Sequence, residues 1–335
     1  MKIINSIHEI TSCQDDFPIF FWDKWKTVEE QLHQKQYLLC VDDELNVVPF
    51  TVYTMNYFRK GDYLYAPLDK NGNRLSVEKE KQFLDEFHTF LKMRNIVDVM
   101  FPPSHIVVFK AIPQNSFIYP FGIIQTNLKH EAFDLYKKCN ENTRRDIKKA
   151  EKIGVQVMFS TSYIDQFWTC YEKTRERENI EYLDKNYLKS YLNILWENVL
   201  IGISVINDKT DSSMFFLYDK KNVYYLYSGY NYSTGFKGSN KYLYWQSYLK
   251  FKNKGIEKYY PGGYRLNLSE NDKLSRIQNF KLKLGGEIEY GYHFIKIIHP
   301  IKYYIITFAM RCKSILTGKD CSFINLKGLE VKKSK

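Results

Sequence analysis

Between residues 199 and 230, three apolar runs follow one another with only short polar breaks. They cover 199–206, 213–218 and 223–230, with turns at Asn207-Asp208-Lys209 and Asp219-Lys220-Lys221-Asn222. Strands joined by such short turns pair antiparallel, because a parallel pair needs a crossover of a dozen residues or more. On either side of this meander the period changes. Upstream, 155–159 reads as a strand and two helices follow it. The first, opened by the capping pattern Ser162-x-x-Asp165, turns Ile164, Phe167, Trp168 and Tyr171 inward; the second, after Asp184, turns Leu188, Tyr191, Leu192 and Leu195 inward. Downstream, a loop rich in Gly and Ser opens a helix over 242–254 that Gly255 ends. A strand over 256–260 then runs into Pro261-Gly262-Gly263, a helix over 272–284 ends at Gly285-Gly286, and a last strand spans 288–298. The order β-α-α-β-β-β-α-β-α-β closes on a strand-helix-strand crossover, so the sheet is mixed and the class is α/β.

The first half is less regular. Trp22, Trp25 and Val28 stand at helical spacing. Runs at 37–41 and 47–55 form a hairpin across Asp42-Asp43-Glu44, and 63–66 reads as a strand after Gly61-Asp62. Residues 77–94 predict an amphipathic helix with Phe83, Phe87, Phe90 and Leu91 on one stripe, and 96–101 a strand stopped by Pro102-Pro103. The segment 142–152, ending at Gly154, is strongly basic and marks the expected domain junction. With 335 residues the chain is long enough for two cores. The expected layout is a domain over 1–150, a second over 151–298, and an amphipathic tail over 299–335.

The formal net charge of +11 draws a protein toward polyanions, although a chain rich in Lys, Asn, Ile and Tyr reaches that charge from an AT-rich genome as well. The six cysteines form no C-x-x-C pair and no cluster with histidine, so neither a disulfide framework nor a bound metal is expected. The first residues carry no apolar signal core and no run approaches the length of a membrane span. The expected location is the cytoplasm, or the inner face of the membrane.

The order of elements in the second half is similar to the GNAT acyltransferase fold. Two stretches sharpen the likeness. Arg144-Arg145-Asp146-Ile147-Lys148-Lys149-Ala150-Glu151-Lys152-Ile153-Gly154-Val155 resembles the junction motif of Fem-type (FemAB-like) peptidoglycan-bridge aminoacyltransferases. Tyr259-Tyr260-Pro261-Gly262-Gly263, followed by Phe280-Lys281 and Gly285-Gly286, resembles that family's strand-Gly-Gly, Phe-Lys, Gly pattern, with Asn279 where the family often has arginine. The resemblance implies tandem GNAT-like domains with mixed, mostly antiparallel sheets flanked by helices. It also implies transfer of an acyl group to an amine of a cell-envelope sugar or peptide precursor, nucleotide-linked or lipid-linked.

It places Lys281 at the reacting phosphate or carbonyl, where a cation stabilises the developing oxyanion. By position, Gly235, Lys237, Gly238, Ser239 and Asn240 form the donor loop: backbone N–H groups at a helix start favour anions, and Ser239 or Asn240 would cap the helix. Tyr264 and Arg265 follow the double glycine, which permits close approach of a ligand, and are expected at the acceptor. Arg276 joins them as a holder of an anionic substrate, although it lies about 140° around the helix from Lys281. Glu172, Glu176, Glu178 and Glu181 are candidate bases. The sequence shows no long charged helical hairpin, which points to acetyl-CoA or another acyl-CoA as donor. The basic stripe Arg144, Arg145, Lys148, Lys149 and Lys152 leaves an aminoacyl-tRNA open. A catalytically silent GNAT-fold module that binds RNA or anionic lipid is the third reading. The tail, with Ile301, Tyr304, Ile305 and Phe308 among Lys302, Arg311 and Lys313, is expected either to dock on the protein or to lie on a membrane surface.

Overall fold

Asn207 and Asp208 both adopt left-handed backbone, with φ of 48° and 60°. Two such residues in succession build the turn whose twist matches the strands it joins, and here they close the first hairpin of the meander. The computed structural model describes residues 1–103, 106–181, 183–231, 235–236, 238–269, 272–317 and 332–333. In chain order it contains β1 (Lys2–Ile4), α1 (Asp23–Thr27), β2 (Gln36–Val41), β3 (Val47–Met55), β4 (Phe58–Tyr63), α2 (Val77–Met93), β5 (Val99–Phe101) and β6 (Phe117–Asn127). There follow α3 (Ala132–Lys138), α4 (Glu141–Lys152), β7 (Gln156–Phe159), α5 (Ile164–Arg177), α6 (Lys185–Leu195), β8 (Val199–Ile206), β9 (Lys209–Tyr218) and β10 (Asn222–Tyr230). The chain continues through α7 (Ser239–Asn253), β11 (Lys258–Arg265), α8 (Lys273–Lys283), β12 (Glu287–Ile297) and α9 (Pro300–Thr317).

Two compact units result. One holds residues 1–122, 265–267 and 290–335; the other holds 123–264 and 268–289. The long strands β6 and β12 each contribute residues to both. The basic segment of the expected junction is α4, which lies within the second unit. Asn140 opens it by accepting a hydrogen bond from the Thr143 N–H at 2.9 Å, and Gly154 at φ 74° ends it.

In the first unit the strand order is β1-β2-β3-β4-β5-β12. All pairs are antiparallel except β4–β5. Helix α2, capped by Ser76, buries Phe83, Leu84, Phe87 and Leu91, and the Phe87 ring meets Phe50 edge-on at 5.1 Å. The strand expected over 63–66 instead runs from Phe58 to Tyr63. Asn56 and Tyr57 make the left-handed turn before it, and Gly61 is an inner strand residue: a Cβ there would lie 2.2 Å from Met100 Sδ. The strand expected over 96–101 shortens to β5.

In the second unit the order is β6-β11-β10-β9-β8-β7. The meander is antiparallel, and β11 returns parallel to β10 after the α7 crossover. One face packs α7, whose Leu243, Tyr244, Tyr248 and Phe251 join Met214, Phe216 and Tyr259 in a core. The other face packs α5, whose Phe167 and Tyr171 meet Phe215 and Tyr227. The residue that starts this region is Ser160, which accepts from the Ser162 N–H; Ser162 itself caps nothing, because a short 3₁₀ turn precedes α5. Strand β6 and helix α3 carried no expectation, since Pro120 interrupts the apolar run and proline argues against a strand interior.

The units share a plan: three antiparallel strands, a helix, and a fourth strand parallel to the third (β2-β3-β4-α2-β5 and β8-β9-β10-α7-β11). The fold is thus α/β, with two units of one plan whose mostly antiparallel sheets are flanked by helices.

Gly229 on β10 admits α5 at its closest approach. A Cβ there would sit 2.2 Å from Cys170 C and Tyr171 N, both backbone atoms that cannot yield. Thr174 of α5 locks the same place, accepting from the Tyr230 N–H at 2.7 Å. Gly229→Ala is expected to cost roughly 3 kcal/mol or more and to lower the thermal midpoint by roughly 5–10 °C in a melting scan.

Candidate active site

The parallel pairing of β10 with β11 is short. It joins Asn222 to Lys258, Val223 to Tyr259 and Tyr224 to Tyr260, and then stops. Beyond it, β10 shifts register between Tyr225 and Tyr227, while β11 continues through Pro261, Gly262 and Gly263 to Arg265. The double glycine expected in a loop is therefore part of the strand, and Tyr264 and Arg265 are its last residues. A wedge opens where the two strands part. Gly262, at φ 126°, forms one wall and the ring of Tyr225 the other.

Lys281 of α8 reaches into this wedge. Its Nζ lies 5.9 Å from the centre of the Tyr225 ring and would be 3.0 Å from a Cβ on Gly262. Glycine is favoured at 262 by its backbone conformation, and a Cβ there would press on the flexible end of Lys281. Asp272 starts α8 by accepting from the Leu274 N–H at 2.7 Å. One turn from the helix end, Phe280 packs on Tyr244 at 6.2 Å, which aims the neighbouring Lys281 at the sheet. The lysine is half-buried, and among the described residues no carboxylate or hydrogen-bond acceptor meets it. Burial lowers its pKa from 10.5 to about 8, because a desolvated ammonium without a counter-charge gives up its proton more readily. The surrounding tyrosines stay neutral: burial raises Tyr225 to about 12 and Tyr244 well above its ordinary value.

In the first unit the corresponding place is filled. Beside the end of the β4–β5 pairing, the Tyr63 ring packs against Phe109 at 5.0 Å and Phe294 at 5.7 Å.

The expected donor residues lie at the start of α7. Gly235 is exposed at φ 70°; Gly238 is buried, and a Cβ on it would strike the Phe236 ring at 2.3 Å. Lys237 lies outside the described residues. Gly238 is the N-cap, so neither Ser239 nor Asn240 caps the helix. The fully buried Ser239 hydroxyl instead donates to the carboxylate of Asp211 on β9. Asn240 Oδ1 is buried without a hydrogen-bond partner among the described residues. Asp211 had no place in the sequence reading; its one signal is a carboxylate embedded in the polar start of a strand.

Tyr264 is half-buried two residues beyond Gly262. Arg265 is exposed near Tyr119, whose hydroxyl burial pushes up to about 12 while Arg265 pulls it back. Arg276 is exposed and acts on Glu178, whose pKa is lowered chiefly by the hydrogen bond from Lys273 at 2.5 Å. That ion pair makes Glu178 a poor base. On α4, Arg144 turns back to the end of α3, donating to the carbonyls of Lys137 at 2.9 Å and Cys139. Arg145, Lys148, Lys149 and Lys152 face solvent, and Lys149 Nζ stands 5.5 Å over the ring of Phe236. Among the described residues, no group of three His, Cys, Asp or Glu is placed to hold a metal ion, and no helix is long and apolar enough to cross a membrane.

Residues 121–213 match the FemAB family. No curated protein matches the chain. Among solved structures, the crystal structure of FemX is similar over 91% of this chain and 100% of its own, at 10% identity and a TM-score of 0.70. L-PGS from Bacillus licheniformis is similar over 85% of this chain and 95% of its own, at 11% identity and a TM-score of 0.53. A conserved protein of unknown function from Bacteroides thetaiotaomicron is similar over 84% and 90%, at 11% identity and a TM-score of 0.54. At such identities the solved structures speak to the fold. Residues 121–213 thus resemble the FemAB family, and the fold resembles that of FemX.

Proposed function

We propose that the protein is an acyltransferase that joins an acyl group to an amine of a cell-envelope precursor, with Lys281 at the reacting carbonyl. The observation that carries this reading is the half-buried ammonium of Lys281, without a counter-charge among the described residues, in the wedge between β10 and β11. An ammonium held there is free to meet a developing oxyanion at low solvation, where one charged donor is worth most. The acceptor nitrogen bonds to the carbonyl carbon and the carbonyl oxygen takes the negative charge beside Lys281 Nζ. The bond to the donor's oxygen or sulfur then breaks, and that leaving group takes up the proton the amine has lost. The FemAB match supports an envelope precursor, nucleotide-linked or lipid-linked, as the acceptor.

Two donors satisfy this chemistry, and the start of α7 favours an aminoacyl-tRNA over an acyl-CoA. A pyrophosphate seated on that helix end would meet the Asp211 carboxylate, and the Ser239 hydroxyl that would bind it already donates to Asp211. Nearby, the solvent-facing cations of α4 suit a polyanion. Full coverage of FemX also means that the missing helical hairpin is no departure from that structure.

The test pairs each donor with a nucleotide-linked peptide precursor and follows the product by mass. Product from aminoacyl-tRNA, with acetyl-CoA giving none, is the expected result. Product from acetyl-CoA alone would overturn the donor assignment. No product from either would favour a non-catalytic binding module.

A further inference from the structure

Helix α9 leaves one face without a partner among the described residues. Its first turn is anchored in the first unit: Lys302 Nζ meets the buried Asp98 carboxylate at 2.6 Å, and the Tyr303 ring lies 5.8 Å from Phe58. From there the helix presents Ile301, Tyr304, Ile305, Phe308, Ile315 and Leu316 to solvent. Ile301 is 79% exposed, Phe308 70%, Ile315 83% and Leu316 85%. At 3.6 residues per turn these six side chains fall within about 60° on either side of one line along the helix. They form a single continuous stripe, and a stripe of large apolar groups this exposed is unusual for a surface meant to stay in water.

The charges around the stripe identify its occupant. Arg311 lies along one edge and Lys313 along the other, and α9 contains no acidic residue. The sequence that follows, 318–335, adds Lys319, Lys327, Lys332, Lys333 and Lys335 against Asp320 and Glu330. Long basic side chains flanking an apolar stripe can hold their charged ends at headgroup level while the stripe enters the acyl boundary. A second protein copy bearing the same cations would bring like charges together, whereas an anionic bilayer would neutralise them.

We propose that α9 is an interfacial helix that docks the protein on the surface of an anionic lipid bilayer. The helix lies in the plane of the surface, with Phe308 near the middle of the inserted stripe and Arg311 and Lys313 against lipid phosphates. The proposal does not depend on the acyl-transfer reading, and its test reads binding alone.

Full-length protein is floated with phosphatidylcholine vesicles with and without phosphatidylglycerol. Phosphatidylglycerol is expected to raise the bound fraction roughly tenfold or more. Phe308→Glu with Ile315→Glu should return it to background with an unchanged melting curve, because both side chains are exposed. Arg311→Glu with Lys313→Glu should remove the increment that phosphatidylglycerol provides. Background binding by the wild type on both vesicles would overturn the proposal. So would light scattering that shows a dimer dissociated by Phe308→Glu, which would assign the stripe to a second copy. Binding that appears only after truncation beyond Thr317 would assign the stripe to the chain's own last segment and overturn it equally.

Discussion

Lys281→Ala is expected to lower kcat/KM for acyl transfer by about 10²–10³-fold, the usual cost of losing one oxyanion donor, while acceptor binding changes little. The reason is geometric: among the described residues no other cation reaches the wedge beside Gly262 and Tyr225. The pH profile separates this role from a structural one. A charge-stabilising lysine works only when protonated, so wild-type activity should fall as pH rises through about 8. The acid limb rises with pH for a different reason, since the acceptor amine must lose its proton before it attacks. Lys281→Arg keeps a cation that stays protonated throughout the accessible pH range, so the alkaline limb should vanish at reduced rate. An alkaline limb that persists unchanged in the arginine variant, or an alanine variant within about tenfold of wild type, would remove Lys281 from the chemistry. Activity that rises through about 8 in the wild type but no longer does so in the arginine variant would make it a base instead.

Lys281→Met is expected to stabilise the fold at neutral pH, by at most roughly 3 kcal/mol and by less where solvent screens the partly exposed ammonium, while lowering transfer as the alanine variant does. A lysine held at about 8 in the fold and at 10.5 when unfolded binds fewer protons folded than unfolded between those two values. Stability of the wild type therefore rises with pH across that window. Below 8 the full cost of confining the ammonium is present, and above 10.5 it is gone. The methionine variant should lead by its whole margin below pH 8 and lose that lead as pH passes 10.5. Denaturant titrations at pH 7 and pH 10 would show it. An equal margin at both values would mean that packing, not charge, sets the difference. The two predictions describe one residue from opposite sides: the desolvation that should weaken the fold is the one proposed to serve the reaction.

The glycine at 262 shows why such a site is only half visible in a sequence. Pro261-Gly262-Gly263 reads as a turn, because two glycines after a proline are commoner in loops than in strands. In the fold they remain strand: β11 continues past the end of its pairing with β10, and Gly262 takes φ 126° beside Lys281. The Ser239 hydroxyl reads as a helix cap for a similar reason; nothing nearby in the chain announces that Asp211, 28 residues earlier, will claim it. Arg144 looks like one of five cations on a stripe until α3, lying just before it, takes its guanidinium.

By itself, the sequence determined what short-range physics can carry. The meander at 199–230 with its Asn207-Asp208 turn, the helix over α2, the α7 crossover and the order of elements all follow from period and turn chemistry. The Phe-Lys and Gly-Gly pattern also singled out Lys281 as a candidate, through a resemblance rather than through period or turn chemistry. Only the tertiary structure decided the strand that Pro120 had hidden, the registers at Phe58 and Gly61, and the residues that meet in the wedge. The difference is one of distance along the chain. A period or a turn is written within ten residues, whereas Tyr225, Gly262 and Lys281 become neighbours only when β10, β11 and α8 have packed, and the desolvation that lowers the Lys281 pKa exists only then.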